Sequence, residues 1–261
     1  MTLREQLEED GFVHDALPLA DPRVVPAVID DAGTFDAALA QIAARGVHQV
    51  PYLLTDAITR ITHDARIVAA AEEYLQTDRW VMWGANIRRD TPNEAHRWHL
   101  DLESFLWPTL TVGIGLQGCH PAAATWFIPG AHRIGRGPRA AEADGGDAAV
   151  LAAARAEDRR CGAPTAVAGF GDERFYVFNA RCWHRGEQAA SVGRMMLFLH
   201  YQRADARRVP YLLDYRRNTW SREAAPYLVS PAAVGVDTAV ARPPLRHRAA
   251  VAWARVRGRL A

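Results

Sequence analysis

The first third of the chain places apolar residues at the spacing of amphipathic helices. The predicted helices cover residues 1–12, 34–46 and 56–76. In the third, Asp56 stands where an N-cap is expected. Its apolar stripe consists of Ile58, Ile61, Ala65, Val68 and Ala69. This part of the chain therefore predicts a helical layer over about residues 1–78.

From Trp80 onwards the pattern changes to short runs of β-branched and aromatic residues, separated by Gly, Pro and Asn, which is typical of strands. The runs are RWVMWGANIRR, ESFLWPTLTVGIGLQG, ATWFIP, ERFYVFN and RMMLFLHYQ. Because helices do not alternate regularly with these runs, a double-sheet jelly roll is favoured over a parallel α/β sheet. The predicted fold is mainly β with helical cover: a cupin-like double-stranded β-helix over about residues 79–203, with the N-terminal helices packed on one sheet.

Two further segments have a different composition. Residues 138–162 are rich in Ala, Arg, Asp and Glu and are split by Gly145 and Gly146, which predicts a helical insertion and a candidate active-site lid. Residues 204–261 form a C-terminal extension whose arginines are interpreted as a solvated helix face rather than a nucleic-acid arm. Without repeats or a flexible linker, the 261 residues are predicted to form one domain.

Composition narrows the classes of partner. Lys and Arg total 31 against 30 for Asp and Glu, so no net field favours nucleic acid or an anionic membrane, and a small molecule is the expected partner. Cys119, Cys161 and Cys182 have no metal or disulfide spacing, which favours a reducing compartment. The N-terminus lacks the apolar centre of a signal peptide and no run reaches membrane-spanning length, so a cytoplasmic protein is expected. The oligomeric state is left open.

The candidate chemistry lies in a His-x-Asp pair and a distant histidine. His99 and Asp101, two residues apart on a strand, would point to the same face. His184 from another strand completes a two-His-one-carboxylate triad, which holds Fe(II) and leaves coordination positions open. Arg194 follows at a distance that suits a clamp for the far carboxylate of a keto-diacid. Among the other histidines, His200 ends a predicted strand in FLHYQ, where an inward orientation is an option. Unlike His99, it has no carboxylate residue two positions away.

Three ordered blocks carry a family resemblance. They are RWHLDLESF, ATWFIPGAHRIG and GDERFYVFNARCWHRG. With these blocks the chain resembles the phytanoyl-CoA dioxygenase family of Fe(II)/2-oxoglutarate-dependent oxygenases, whose hallmark strand ends in Pro-Gly-Ser-His; Ala131 replaces the Ser here. The resemblance covers about residues 80–202.

The resemblance implies an iron centre and the residues around it. His99, Asp101 and His184 would be the iron ligands, with 2-oxoglutarate and O2 as co-substrates. Residues implied to bind 2-oxoglutarate are Arg194, Arg88, Asn86 and Thr125. Gly186 stands where the family often has a Ser, which affects the expected co-substrate contacts.

The substrate is predicted only by class. Halogenases of this type lack the carboxylate ligand, so Asp101 favours hydroxylation, desaturation or oxidative cyclisation. Glu103 shares strand parity with Asp101 and is a candidate catalytic base or substrate ligand, and Trp83 is a candidate substrate contact. A substrate cavity with aromatic walls and a few carboxylate or amide groups would suit a glycoside or an oligosaccharide antibiotic precursor. Amino-acid or polyketide hydroxylation remains an alternative, as does a cupin-like metal-binding isomerase or binding protein.

Overall fold

The computed structural model describes residues 1–32, 56–89, 96–101, 109–187 and 194–204, with only the backbone described at Trp83 and Gly84. The predicted helix over 34–46, the side chains of Glu103 and Trp83, and nearly all of the C-terminal extension lie outside the described residues. Within the described ranges, no helix combines the length and the apolar character needed to cross a bilayer.

Six α-helices occur in the described residues: four lie before the long strand that begins at Trp80, and two lie within residues 138–162. They are α1 (Leu3–Glu9), α2 (residues 25–32), α3 (Asp56–Thr62), α4 (Ala65–Leu75), α5 (Ala140–Asp144) and α6 (Gly146–Glu157). Helix α1 begins with a capping box, in which the hydroxyl of Thr2 accepts from the backbone N–H of Glu5 and the Glu5 carboxylate accepts from that of Thr2. The last two helices, α5 and α6, lie within residues 138–162.

The single helix predicted over residues 56–76 is divided. Its second half begins anew because the Asp64 carboxylate accepts from the backbone N–H groups of Arg66 and Ile67, as an N-cap does. The predicted stripe is only partly correct beyond this point: Val68 packs against the core, but Ala65 and Ala69 are exposed. The buried residues of α4 are Ile67, Ala70, Ala71 and Leu75. Asp56 is the first helical residue of α3.

Eight strands in the described part of the chain form two sheets. Each of the five runs predicted from the sequence contains one of these strands. The eight strands are β1 (Leu17–Pro18), β2 (Trp80–Arg89), β3 (Thr109–Gln117), β4 (Thr125–Phe127), β5 (Thr165–Ala166), β6 (Arg174–Asn179), β7 (His184–Gly186) and β8 (Met195–Arg203). One sheet has five strands in the order β1-β6-β3-β8-β2, and the other has three in the order β5-β4-β7. All pairings between these strands are antiparallel.

The five-stranded sheet separates a helix-covered face from a polar face. Along β8, Leu197, Leu199 and Tyr201 belong to the main apolar core, and the Tyr201 hydroxyl donates to the carbonyl of Thr62 in α3 at 2.7 Å. The alternate residues Phe198 and His200 line a cavity instead. Because successive strand residues face opposite sides, the N-terminal helices and the cavity lie on opposite faces of this sheet.

The three-stranded sheet covers the polar face. Phe127 of β4 packs against Tyr176 and Phe178 of β6, with ring centroids 6.0 and 5.1 Å apart. On its other side, a second apolar cluster joins this sheet to the insertion; it includes Trp98, Ile128, Val150, Ala154 and Trp183. Helices α5 and α6 thus cover the outer face of the small sheet. No described residue of 138–162 lines the cavity, so the structure gives no support to the lid interpretation.

Candidate metal and co-substrate site

His99 and His184 are held side by side by their backbones. His99 lies in an irregular segment rather than in a named strand, and it forms an isolated antiparallel bridge with His184 of β7. Their backbone groups exchange two hydrogen bonds, of 2.9 and 2.8 Å. The imidazole centroids are 4.3 Å apart. The distant histidine therefore meets the His-x-Asp segment as predicted.

Asp101 completes a three-residue cluster. Its backbone N–H donates to the carbonyl of Ala180 at 2.9 Å, which fixes the segment two residues beyond the His99 bridge. The Oδ1 atom lies 4.0 Å from Nε2 of His99 and 3.6 Å from Nε2 of His184. One ligand atom from each of the three residues lies within 4.8 Å of the others.

The backbone also selects the histidine tautomers. Nδ1 of His99 lies 2.9 Å from the carbonyl oxygen of Arg97, and Nδ1 of His184 lies 3.0 Å from that of Cys182. Since a carbonyl can only accept, each Nδ1 carries the proton and donates. The lone pairs are therefore on the Nε2 atoms, which face Asp101. Such hydrogen bonds to the remote ring nitrogen are typical of metal-ligating histidines.

The electrostatics favour neutral imidazole beside an ionised carboxylate. Burial, reinforced by His99, lowers the pKa of His184 to about 4. Burial alone would raise the pKa of Asp101, but His184, His200, His99 and the hydroxyl of Thr111 outweigh it, and the pKa lies below its usual value. At neutral pH the buried His184 therefore presents a nitrogen lone pair beside an anionic carboxylate oxygen, the protonation state that metal binding requires.

This donor set fits a divalent transition metal. Two ligand atoms that share one ion at about 2.1 Å can be at most about 4.2 Å apart, and Oδ1 of Asp101 lies 3.6 and 4.0 Å from the two Nε2 atoms. Two imidazoles and one carboxylate that occupy one face of an octahedron characterise non-haem Fe(II) oxygenases.

Arg194 lies in the same cavity, and Gly186 makes room for it. The guanidinium of Arg194 donates to the carbonyl of Ala123 and is 3% exposed. A Cβ atom at Gly186 would overlap the Arg194 guanidinium. The departure from the Ser expected at this position therefore has a steric reason: a side chain on residue 186 and the observed position of Arg194 are incompatible.

Hydroxyl groups accompany the arginine. Thr125 pairs directly with Gly186 across β4 and β7 and is buried, and its Oγ1 lies 2.6 Å from the hydroxyl of Tyr176. Burial raises the pKa of Tyr176, so the phenol keeps its proton. The Tyr176 ring occupies the space in which a side chain on Gly113 would lie. The sequence patterns did not single out Tyr176, because in an aromatic strand run it is indistinguishable from a core residue.

The cavity joins the metal cluster to these groups and has a volume of about 100 Å³. Its described lining comprises Asn86, Arg88, His96, His99, Asp101, Thr125, His184, Gly186, Arg194, Phe198 and His200. All four predicted co-substrate residues are thus brought together. His96, which lies three residues before His99, also lines the cavity, and its Nδ1 lies 2.5 Å from Nη2 of Arg88.

Comparisons with known proteins identify the fold. No protein-family model and no curated protein matches the sequence. Among solved structures, the chain is similar to ThoJ, described as a non-heme monooxygenase, with a TM-score of 0.56, 18% identity and 78% of each chain covered. It is also similar to EctD from S. alaskensis with 2-oxoglutarate and 5-hydroxyectoine, with a TM-score of 0.57, 18% identity, and coverage of 78% of this chain and 76% of that one.

A third similar structure holds a metal and a co-substrate. It is the epimerase SnoN in complex with Fe3+, alpha ketoglutarate and nogalamycin RO, with a TM-score of 0.53, 16% identity, and coverage of 78% of this chain and 84% of that one. At these identities the likeness concerns the fold. The resemblance to the Fe(II)/2-oxoglutarate-dependent oxygenases is therefore confirmed at the level of the fold.

Proposed function

We propose that the chain is a non-haem Fe(II)/2-oxoglutarate-dependent oxygenase that hydroxylates or oxidatively cyclises a small natural product. The observation that carries this proposal is a single cavity that is lined by the cluster of His99, Asp101 and His184 and also by the buried Arg194. A metal triad or a buried arginine alone would serve many functions. Together they suit a metal-chelating keto-diacid, which has a second carboxylate.

The fold supports the same proposal. We infer that the five-stranded and three-stranded antiparallel sheets are the two halves of a double-stranded β-helix, with the cavity between them. The similarity to ThoJ, EctD and SnoN is consistent with this architecture. The single domain of 261 residues remains a prediction.

The residues divide the work as follows. His99, His184 and Asp101 would hold iron, which when bound supplies with 2-oxoglutarate and O2 the oxidising power to break a substrate C–H bond. Arg194 would bind the remote carboxylate of 2-oxoglutarate. If the Tyr176 phenol donates to Thr125, the hydroxyl of Thr125 can direct its own proton to that carboxylate. Arg88 and Asn86 would line the approach to the metal.

Asp101 also limits the type of product. A carboxylate ligand occupies the position that a halide takes in related halogenases, so we infer oxygen transfer, desaturation or ring closure rather than halogenation. A natural-product substrate is supported by fold-level likeness to a protein bound to nogalamycin RO. A glycoside or oligosaccharide antibiotic precursor is the favoured class. The roles proposed for Glu103 and Trp83 in binding it, and for Glu103 as a base, are still predictions. We infer a reducing cytoplasm as the location, since all three cysteines are buried free thiols.

The test is the conversion of 2-oxoglutarate to succinate under O2 by the Fe(II)-loaded protein. Wild type should form succinate, even slowly without substrate, and His184→Ala should form none above a metal-only blank. Metal binding without succinate formation, with or without candidate substrates, would instead support the metal-binding isomerase or binding protein. Mass spectrometry of candidate substrates then separates addition of oxygen from loss of two hydrogens.

A further inference from the structure

A line of hydrogen bonds runs from the cavity to the carboxylate of Asp101. The Asn86 amide nitrogen lies 3.3 Å from Nε2 of His200, and Nδ1 of His200 lies 3.1 Å from the hydroxyl of Thr111. That hydroxyl donates to Oδ2 of Asp101 at 3.2 Å. Neither Thr111 nor His200 was predicted as a site residue.

The sheet register builds this line. Thr111 of β3 and His200 of β8 are direct register partners, and Asn86 lies on β2, the next strand. Thr111 is fully buried and His200 is 8% exposed. Three neighbouring strands of the five-stranded sheet thus support a residue that belongs to an irregular segment outside it. Thr111 and His200, the two members nearest Asp101, are shielded from bulk water, whereas Asn86 is exposed.

The donor and acceptor of each hydrogen bond in this line can be assigned by starting from the Asp101 carboxylate. An ionised carboxylate only accepts, so the single proton of the Thr111 hydroxyl goes to Asp101. Thr111 must then accept from His200, which places the proton of a neutral His200 on Nδ1. Nε2 of His200 is left as an acceptor, and the Asn86 amide nitrogen donates to it. Burial lowers the pKa of His200, which agrees with a neutral ring.

The two oxygens of Asp101 consequently have different partners. Oδ1 faces the Nε2 atoms of His99 and His184, whereas Oδ2 is held by Thr111. We propose that Thr111 and His200 are positioning residues that hold Asp101 so that only one carboxylate oxygen reaches the metal. A one-oxygen ligand leaves three positions of an octahedron for co-substrate and O2, while a two-oxygen ligand would occupy one of them. This inference rests on the metal centre of the proposed function.

The experiment titrates the metal-free full-length protein with Co(II) alone and records affinity and the visible absorption of the bound ion, which reports its coordination. Thr111→Val keeps the shape and removes the hydroxyl, and Thr111→Ser restores it. The matched control is Thr109→Val, because Thr109 lies on the same strand, is similarly buried, and its hydroxyl makes no hydrogen bond to the residues that the structure describes. A second pair, His200→Leu and His200→Asn, removes or keeps a donor at the position of Nδ1.

Thr111→Val should weaken Co(II) binding by about 10-fold, as loss of an outer hydrogen-bond partner of a ligand does, and should alter the absorption spectrum. Thr111→Ser and Thr109→Val should resemble wild type, and His200→Leu should bind more weakly than His200→Asn. Wild-type affinity and spectrum in both Thr111→Val and His200→Leu would overturn this inference and leave the metal centre intact. If Thr111→Val does not fold, the His200 pair decides alone. A wild-type protein that binds no Co(II) would overturn the metal centre and this inference with it.

Discussion

The three-stranded sheet and the adjoining segment 96–101 have one face towards the cavity and the other towards the insertion, and the residues on the two faces have different roles. On the cavity face, His99 and His184 direct their Nε2 atoms towards Asp101. On the outer face, the adjacent residues Trp98 and Arg185 are bound to the insertion. Strand alternation separates His184 from Arg185 in β7, and the bridge between His99 and His184 places Trp98 on the same side as Arg185. The cavity face orients lone pairs towards one another, whereas the outer face pairs its polar groups within the protein.

One carboxylate of the insertion contacts both of the outer-face residues that adjoin the histidines. Asp147 in the first turn of α6 accepts from Nε1 of Trp98 at 3.0 Å and from two nitrogens of Arg185 at 3.2 and 3.3 Å. The guanidinium of Arg185 also lies 5.4 Å from the ring of Trp98 and 5.5 Å from that of Trp126. The insertion thus binds the two backbone segments that carry the histidine ligands.

The largest expected effect lies on the cavity face. His184→Ala, and equally His99→Ala or Asp101→Ala, should abolish Fe(II)-dependent turnover, because two ligands do not hold iron in a site with open positions. Because the His184 ring also packs against Phe127 and Phe178 of the main core, circular dichroism of each variant is the control, and it should show a folded protein. Arg185→Ala is the matched neighbour on the outer face and should lower the melting temperature more than turnover. Fe(II)-dependent turnover at the wild-type rate by His184→Ala would contradict the ligand assignment.

The next effect concerns the co-substrate. Arg194→Ala should raise the apparent KM for 2-oxoglutarate by at least about 10-fold, the consequence of losing a charged hydrogen bond of ~1.5–3 kcal/mol. Metal affinity, measured with Co(II) alone, should change little. An unchanged KM would assign the carboxylate clamp to another cation, with Arg88 the next to test, since it lines the same cavity.

A smaller effect tests the steric role of Gly186. Gly186→Ala places a Cβ atom where the Arg194 guanidinium lies, so the arginine must move. We expect the KM for 2-oxoglutarate to rise about 5-fold, the equivalent of about 1 kcal/mol. Gly171→Ala is the matched control, because a Cβ atom there meets its nearest neighbour at an ordinary 3.8 Å. Equal KM values in the two variants would show that Arg194 adjusts without cost.

The sequence was sufficient for features that depend on local pattern or on a family motif. Aromatic and β-branched runs located five of the strands, namely β2, β3, β4, β6 and β8. The pattern of His99, Asp101 and His184 indicated three residues whose ligand atoms the fold brings within 4.8 Å of one another. It failed where the outcome depends on tertiary contacts. Asp64 divides a helical pattern because its carboxylate also accepts from the backbone N–H groups of Ala20 and Asp21 in the N-terminal segment.

The cavity-facing histidines show the same limit. His200 was predicted to lack a carboxylate partner, and in sequence it does, but the register of β3 with β8 places Thr111 between it and Asp101. The spacing of residues along the chain does not predict how two strands pair in register. Arg185, whose guanidinium lies 5.5 Å from the ring of Trp126, was not predicted to be structurally important, because a single arginine in a strand usually lies in solvent.

The smallest expected effect asks whether the outer face influences the inner one. Asp147→Asn weakens the hydrogen bonds to Trp98 and Arg185, and it should lower the melting temperature by a few degrees, as about 1 kcal/mol does in a chain of this size. Because those residues adjoin His99 and His184, the affinity for Co(II) should also fall, by about 3-fold, which is under 1 kcal/mol. Asp158→Asn is the control: Asp158 ends the same insertion and pairs with Arg133 and Arg160, away from the ligand segments. It should reduce thermal stability without reducing Co(II) affinity. Equal loss of affinity in the two variants would mean that the insertion supports the metal site only through overall stability, and the two faces would then be independent.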